Sequence, residues 1–182
     1  MDGKCRRRLL RTLFLFLTGF LIVTASASVY NVMYMQASPI SAETAKVQFV
    51  TAGDSVAAGT SIGTNGTYVC LNSMGGWPNA TRIYEMAVGI KNFDSADRTI
   101  ELKFESWSGS TTNIDYIYVK VFSDSNTQQG STITVGTAGS STGSITIPAG
   151  ATWRVQWEIK WKAGAPSTDS VTVVLRLIVT GE

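Results

Sequence analysis

The feature that most limits what this chain can fold into is a strict two-residue alternation across residues 151–162. Trp153, Val155, Trp157, Ile159 and Trp161 fall on one side, and Arg154, Gln156, Glu158, Lys160 and Lys162 on the other. Successive side chains of a strand point to opposite faces, so the pattern predicts a strand with one core face and one wet face. Residues 98–106 repeat it, with Ile100, Leu102 and Phe104 against Thr99, Glu101, Lys103 and Glu105. In residues 114–122, Ile117, Val119 and Val121 oppose Tyr116, Tyr118 and Lys120. Residues 171–180 are apolar on both faces apart from Arg176 and the threonines, which predicts a central strand covered on each side. Weaker strands are expected at 45–51, 68–72, 82–92, 132–135 and 144–147.

Turn chemistry separates these runs at Asp94-Ser95-Ala96-Asp97, Ser108-Gly109-Ser110, Asp124-Ser125-Asn126, Ala138-Gly139-Ser140, Pro148-Ala149-Gly150 and Gly164-Ala165-Pro166. Residues 136–143 read as a flexible loop between strands. From residue 28 onward no amphipathic stretch of helical period is long enough to matter. The expected fold is therefore all-β: nine or ten short strands in a two-sheet antiparallel sandwich of jelly-roll type, preceded by an N-terminal signal helix. Nothing in residues 41–182 marks a domain boundary.

The first 27 residues are of a different kind. They hold five of the chain's 15 basic residues (Lys4, Arg6, Arg7, Arg8, Arg11) and one of its 13 acidic ones, so that without them the formal charge of +2 becomes −2. The basic pI is thus a property of the leader and gives no argument for nucleic-acid binding. After the basic cluster comes an uncharged run, residues 12–24, and then Ala25-Ser26-Ala27, a small-x-small signal-peptidase site. Cleavage between Ala27 and Ser28 is expected, with a retained membrane anchor as the alternative, since the apolar run is shorter than the roughly 20 residues that cross a bilayer. The protein is then extracellular or at the cell surface, and meets the membrane only during export. The division expected is signal peptide 1–27, N-terminal strand and hinge 28–40, and β-sandwich 41–182.

Composition also narrows the chemistry. The chain has no histidine and two cysteines, which removes histidine-dependent triads and nearly all familiar zinc sites. Cys5 lies in the leader, so Cys70 has no partner left in its own chain; its apolar setting, Tyr68-Val69-Cys70-Leu71, predicts a buried, inert thiol. The Gly59-Thr60-Ser61-Ile62-Gly63 segment matches a nucleophile-elbow pattern but lacks a following helix and any histidine, and reads as a surface loop. Asp94 and Asp97 are too few for a calcium site and read as turn residues. The alternating tryptophans invite comparison with a sugar-stacking platform, but the polar opposite face assigns them to the core. No catalytic residue, cofactor or metal is expected, and the chain is not read as an enzyme. Two sequons, Asn65-Gly66-Thr67 and Asn79-Ala80-Thr81, are candidate N-glycosylation sites in an exported chain, which makes glycans a second candidate partner.

Several of these features together resemble the archaeal bundling pilins and the bacterial TasA and camelysin biofilm-fibre proteins. They are the Sec-like leader, a short strand just after it, the turn segment Gly89-Ile90-Lys91-Asn92-Phe93-Asp94-Ser95-Ala96-Asp97, and Ile145-Thr146-Ile147-Pro148-Ala149-Gly150 before a long alternating strand. The likeness spans most of the chain after residue 27 as a pattern; the high tryptophan content departs from it. The resemblance implies a jelly-roll subunit that polymerises by donor-strand complementation with copies of itself, the N-terminal strand of one subunit completing a sheet of the next. The matching segment is Val29, Tyr30, Asn31, Val32, Met33, Tyr34, Met35 and Gln36.

An argument from the residues alone points the same way. A segment apolar on nearly both faces, followed by Ser38-Pro39, is hazardous if left solvated, because unpaired apolar strands recruit partners. Insertion into a neighbour's sheet covers it, and a head-to-tail contact that does not close builds a filament. Pairing within its own sheet, or service as the stem of an uncleaved anchor, are the alternatives for this segment. The functional alternatives are a cell-surface carbohydrate-binding sandwich and a monomeric membrane-anchored surface protein.

Overall fold

The computed structural model describes residues 44–180. The expected signal peptide, its cleavage point at Ala27 and Ser28, and the expected donor segment from Val29 to Gln36 lie outside the described residues. Within them the fold is all-β, with ten strands and one 3-10 turn, Thr111–Asn113. The strands are β1 (Val47–Val50), β2 (Thr60–Ile62), β3 (Val69–Leu71), β4 (Thr81–Asn92), β5 (Arg98–Gly109), β6 (Ile114–Phe122), β7 (Gln128–Thr134), β8 (Ile145–Ile147), β9 (Thr152–Trp161) and β10 (Val171–Thr180). All pair antiparallel: a five-stranded sheet β1-β4-β9-β6-β7, a three-stranded sheet β10-β5-β8, and the hairpin β2-β3.

The alternation that predicts β9 also places it. Trp153, Val155, Trp157 and Ile159 are buried, and with Tyr84, Val88 and Ile90 of β4 and Ile117, Val119 and Val121 of β6 they form one face of a single hydrophobic cluster. Ile100, Leu102 and Phe104 of β5 and Ile147 of β8 belong to the same cluster, so both sheets contribute to one core. The opposite face of β9 departs from expectation. Gln156 is only 7% exposed, because β9 lies mid-sheet and its polar side chains are crowded by those of β4 and β6. They are satisfied there as a ladder: Gln156 donates to Glu85, Arg154 pairs with Glu85, and Lys120 with Glu158.

Asn92, fully buried at the end of β4, ties the two sheets together. Its Nδ2 donates to the carbonyls of Ala96 (2.8 Å), Ile147 (3.2 Å) and Pro148 (3.2 Å), and its Oδ1 accepts from the Asp94 N–H (2.9 Å). Three carbonyls on one side and an N–H on the other fix the orientation of the carboxamide. Asp94 in turn binds Arg98 and lies 3.6 Å from Lys46, and Asp97 accepts from the Ala149 N–H; both aspartates serve the turn.

Four further expectations are corrected. The Gly59–Gly63 segment contains a short strand, β2, which pairs residue for residue with β3. Cys70 is half-buried rather than buried, because it belongs to that two-stranded hairpin and not to a covered sheet; its Sγ lies 2.8 Å from the Tyr68 hydroxyl. The loop 136–143 is pinned along β5: the Phe104 N–H donates to the Ser140 carbonyl and the Thr142 N–H to the Leu102 carbonyl, with Thr142 buried. The fourth concerns β10, which is no central strand. It pairs with β5 alone and forms one edge of its sheet.

Candidate functional site

Sheets expose backbone donors and acceptors at their edges, so the edge strands decide what the molecule can recruit. Of the four edge strands of the two larger sheets, three are occupied on their outer side. Beside β1, the Phe49 N–H donates to the Gly66 carbonyl (2.8 Å); beside β7, the Ser131 N–H donates to the Thr142 carbonyl (2.9 Å); β8 is three residues long and its Ile147 carbonyl is taken by Asn92. β10 differs. Among the described residues, no hydrogen bond reaches Val171–Thr180 except those of its ladder with β5. At ten residues it presents an open edge of about 33 Å.

The side chains of β10 are as unfinished as its backbone. Val171, Val173, Leu175, Leu177 and Val179 face the core and pack against it, yet each is only half-buried. Across the ladder the partners of Leu175, Leu177 and Val179, which are Phe104, Leu102 and Ile100, are buried, whereas Trp107 opposite Val173 is half-buried and Gly109 opposite Val171 is exposed. From Leu175 to Val179 burial thus falls away from β5 toward the open edge, as it does where a sheet lacks its next strand. On the outer face Thr172, Val174 (42% exposed), Arg176 and Thr180 are exposed and Ile178 is half-buried. Arg176 is the strand's sole charge, paired loosely with Glu105 at 4.0 Å. β10 contains neither proline nor a bulged residue of its own, so the usual devices that blunt an edge are nearly absent.

The partner strand explains the geometry. The register slips between Val174 and Leu175, where β5 carries the extra residue Glu105. The bulge reverses the parity of β5, so that Trp107, three positions beyond Phe104, also joins the core and meets its ring edge-on at 6.5 Å. Gly136 makes room for it, since a Cβ there would stand 2.5 Å from the Trp107 ring. The inner face of the β10-β5 pair is thereby apolar from Ile100 to Trp107.

The asparagine and the threonine of each sequon are exposed. Asn65 accepts hydrogen bonds from the Thr67 hydroxyl (2.8 Å) and N–H (3.4 Å), whereas Asn79 sits in a tight turn with φ 58°. Trp153 and Trp157 of β9 are buried and Trp161 is half-buried against the same core, so the strand presents no row of open rings. A different tryptophan, Trp77, is 56% exposed and lies outside every alternating run, in the turn before β4. Among the described residues, no helix is long and apolar enough to cross a membrane. No family model matches the chain, and no curated protein is significantly similar to it.

Proposed function

We propose that the protein is a secreted structural subunit of an extracellular filament, a pilus or biofilm-matrix fibre, that polymerises by strand addition between copies of itself. The observation that carries this reading is the bare, apolar edge of β10. In the proposal, residues 29–36 of one subunit pair along β10 of the next, with alternate side chains covering the half-buried row from Val171 to Val179. Backbone hydrogen bonds supply affinity and the alternating side chains set the register. A strand beside β10 would bring the three-stranded sheet to four, the number per sheet of an eight-stranded jelly roll. The leader 1–27 is proposed as a cleaved signal peptide, and no catalytic role is assigned.

The test is a truncation that begins near Ala37. The expected product is a folded monomer that forms no filaments by negative-stain microscopy and is stabilised by a synthetic peptide of residues 29–36, which binds the folded state only. Val32→Asp in the full chain should block assembly by burying an unpaired carboxylate while leaving the subunit folded. Filaments formed normally by the truncated protein would end the proposal. A truncated protein that fails to fold would assign residues 29–36 to their own sheet instead.

A further inference from the structure

Trp77 is more than half exposed in a chain whose other tryptophans contribute to the core, and its ring offers an apolar face to anything seated on the same turn. It opens the four-residue turn Trp77-Pro78-Asn79-Ala80, closed by the Ala80 N–H to the Trp77 carbonyl (3.4 Å). Pro78 at the second position and a left-handed Asn79 at the third are the residues a type II turn prefers. The turn is held firmly. The Asn79 N–H donates to the Trp161 carbonyl (2.9 Å), Pro78 bridges to Trp161, and Gly76 lies so close to β9 that a Cβ would come within 2.9 Å of Ile159.

The Asn79 carboxamide makes no hydrogen bond with any described residue and is open to solvent. The Arg82 guanidinium lies over the Trp77 ring, 5.1 Å from its centroid, and so occupies one face. The rest of the exposed ring stands two residues from Asn79, on the same turn. The third residue of the sequon, Thr81, is exposed and shares a hydrogen bond with the Tyr116 hydroxyl across to β6 at 2.6 Å.

We propose that Asn79 carries an N-linked glycan whose first sugar packs its C–H face on the open side of the Trp77 ring. The donor is a sugar carried on a polyprenyl phosphate or pyrophosphate. The Asn79 Nδ2 bonds to the anomeric carbon as the bond from that carbon to the phosphate oxygen breaks, and the proton lost from nitrogen passes to the departing phosphate. The inference rests on the export part of the function proposed above and not on filament formation; it gives Trp77 its cover and the sequon its consequence.

The test is expression of the full chain in a eukaryotic secretory host, with peptide mapping and intact mass of protein recovered from the medium. Asn79 is expected to be modified, Asn79→Gln to remove that modification, and Thr81→Ser to keep it. Enzymatic deglycosylation should lower the melting temperature by about 4 °C, the scale of one aromatic contact in a domain of this size. Trp77→Ala should retain the glycan but abolish that difference. An unmodified Asn79 in exported protein overturns the proposal, as does a glycan effect that survives Trp77→Ala. If the full chain stays inside the cell, the export reading fails by itself. Residues 28–182 behind the host's own signal peptide then decide Asn79 by the same two criteria.

Discussion

Replacing Asn92 tests how the two sheets are joined. Its carboxamide has two N–H bonds for three carbonyls, one of them shared, and its oxygen takes the Asp94 N–H. Asn92→Leu keeps the volume roughly constant and removes every one of these bonds. The Ile147 carbonyl is left in the core, where an unsatisfied group costs about 1–3 kcal/mol; the Ala96 and Pro148 carbonyls and the Asp94 N–H are nearer solvent and cost less. A loss of about 2–4 kcal/mol is expected, read as a lowered urea midpoint at unchanged slope. Asn92→Asp sharpens the test, because a carboxylate offers no donor to the three carbonyls and is repelled by them. Its folded-state pKa must then rise above the unfolded value of about 3.9, so the folded state binds the extra proton more readily. The sign follows: the variant's deficit is full at neutral pH and shrinks as pH falls toward its unfolded pKa, where the neutral acid can donate one hydrogen bond. Urea titrations of wild type and both variants between about pH 7 and pH 5 measure this. An Asn92→Leu protein within 1 kcal/mol of wild type, or an Asn92→Asp deficit that does not shrink on acidification, would refute the account of Asn92 as the tie between sheets.

Three other outcomes are expected. Trp157→Ala should cost about 3–5 kcal/mol by emptying a large core site, while Trp157→Phe should be far milder, since the indole N–H is buried with no partner among the described residues; denaturant titration separates the two. Asp94 is held below the usual carboxylate range chiefly by its hydrogen bond from Arg98, against the opposing effect of burial and helped by the Ser95 N–H and the charge of Lys46. Its contribution is therefore present above the ordinary carboxylate pKa and lost as pH falls through the lowered value, and Asp94→Asn should flatten that part of the acid denaturation curve. Gly136→Ala should cost about 1–3 kcal/mol, because φ is 90° there and the new methyl would strike the Trp107 ring; a loss of the Trp107 near-ultraviolet circular dichroism signal should accompany it.

Properties that depend on neighbours along the chain can be read from the residues alone. The period-two alternation of β9, β5 and β6 was legible because a strand reports its faces two residues at a time, and the all-β class follows from repeating that pattern between turn residues. The buried face of β9, and the assignment of Trp153 and Trp157 to it, were legible for the same reason. How many neighbours each strand has is set by the packing of the sheets. Residues 171–180, apolar on both faces, read as a central strand, yet β10 is an edge, because hydropathy records which side chains avoid water and not what supplies the cover. The converse holds for Gln156, a polar side chain buried by its position mid-sheet. Trp107 reached the core through one extra residue at Glu105, a shift of parity that no count along β5 could anticipate without knowing its partner's register. Asn92 was visible only as a turn asparagine; its three carbonyl partners come from segments that are distant in the chain or folded back by the turn, and convergence of that kind is a property of the packed sheets.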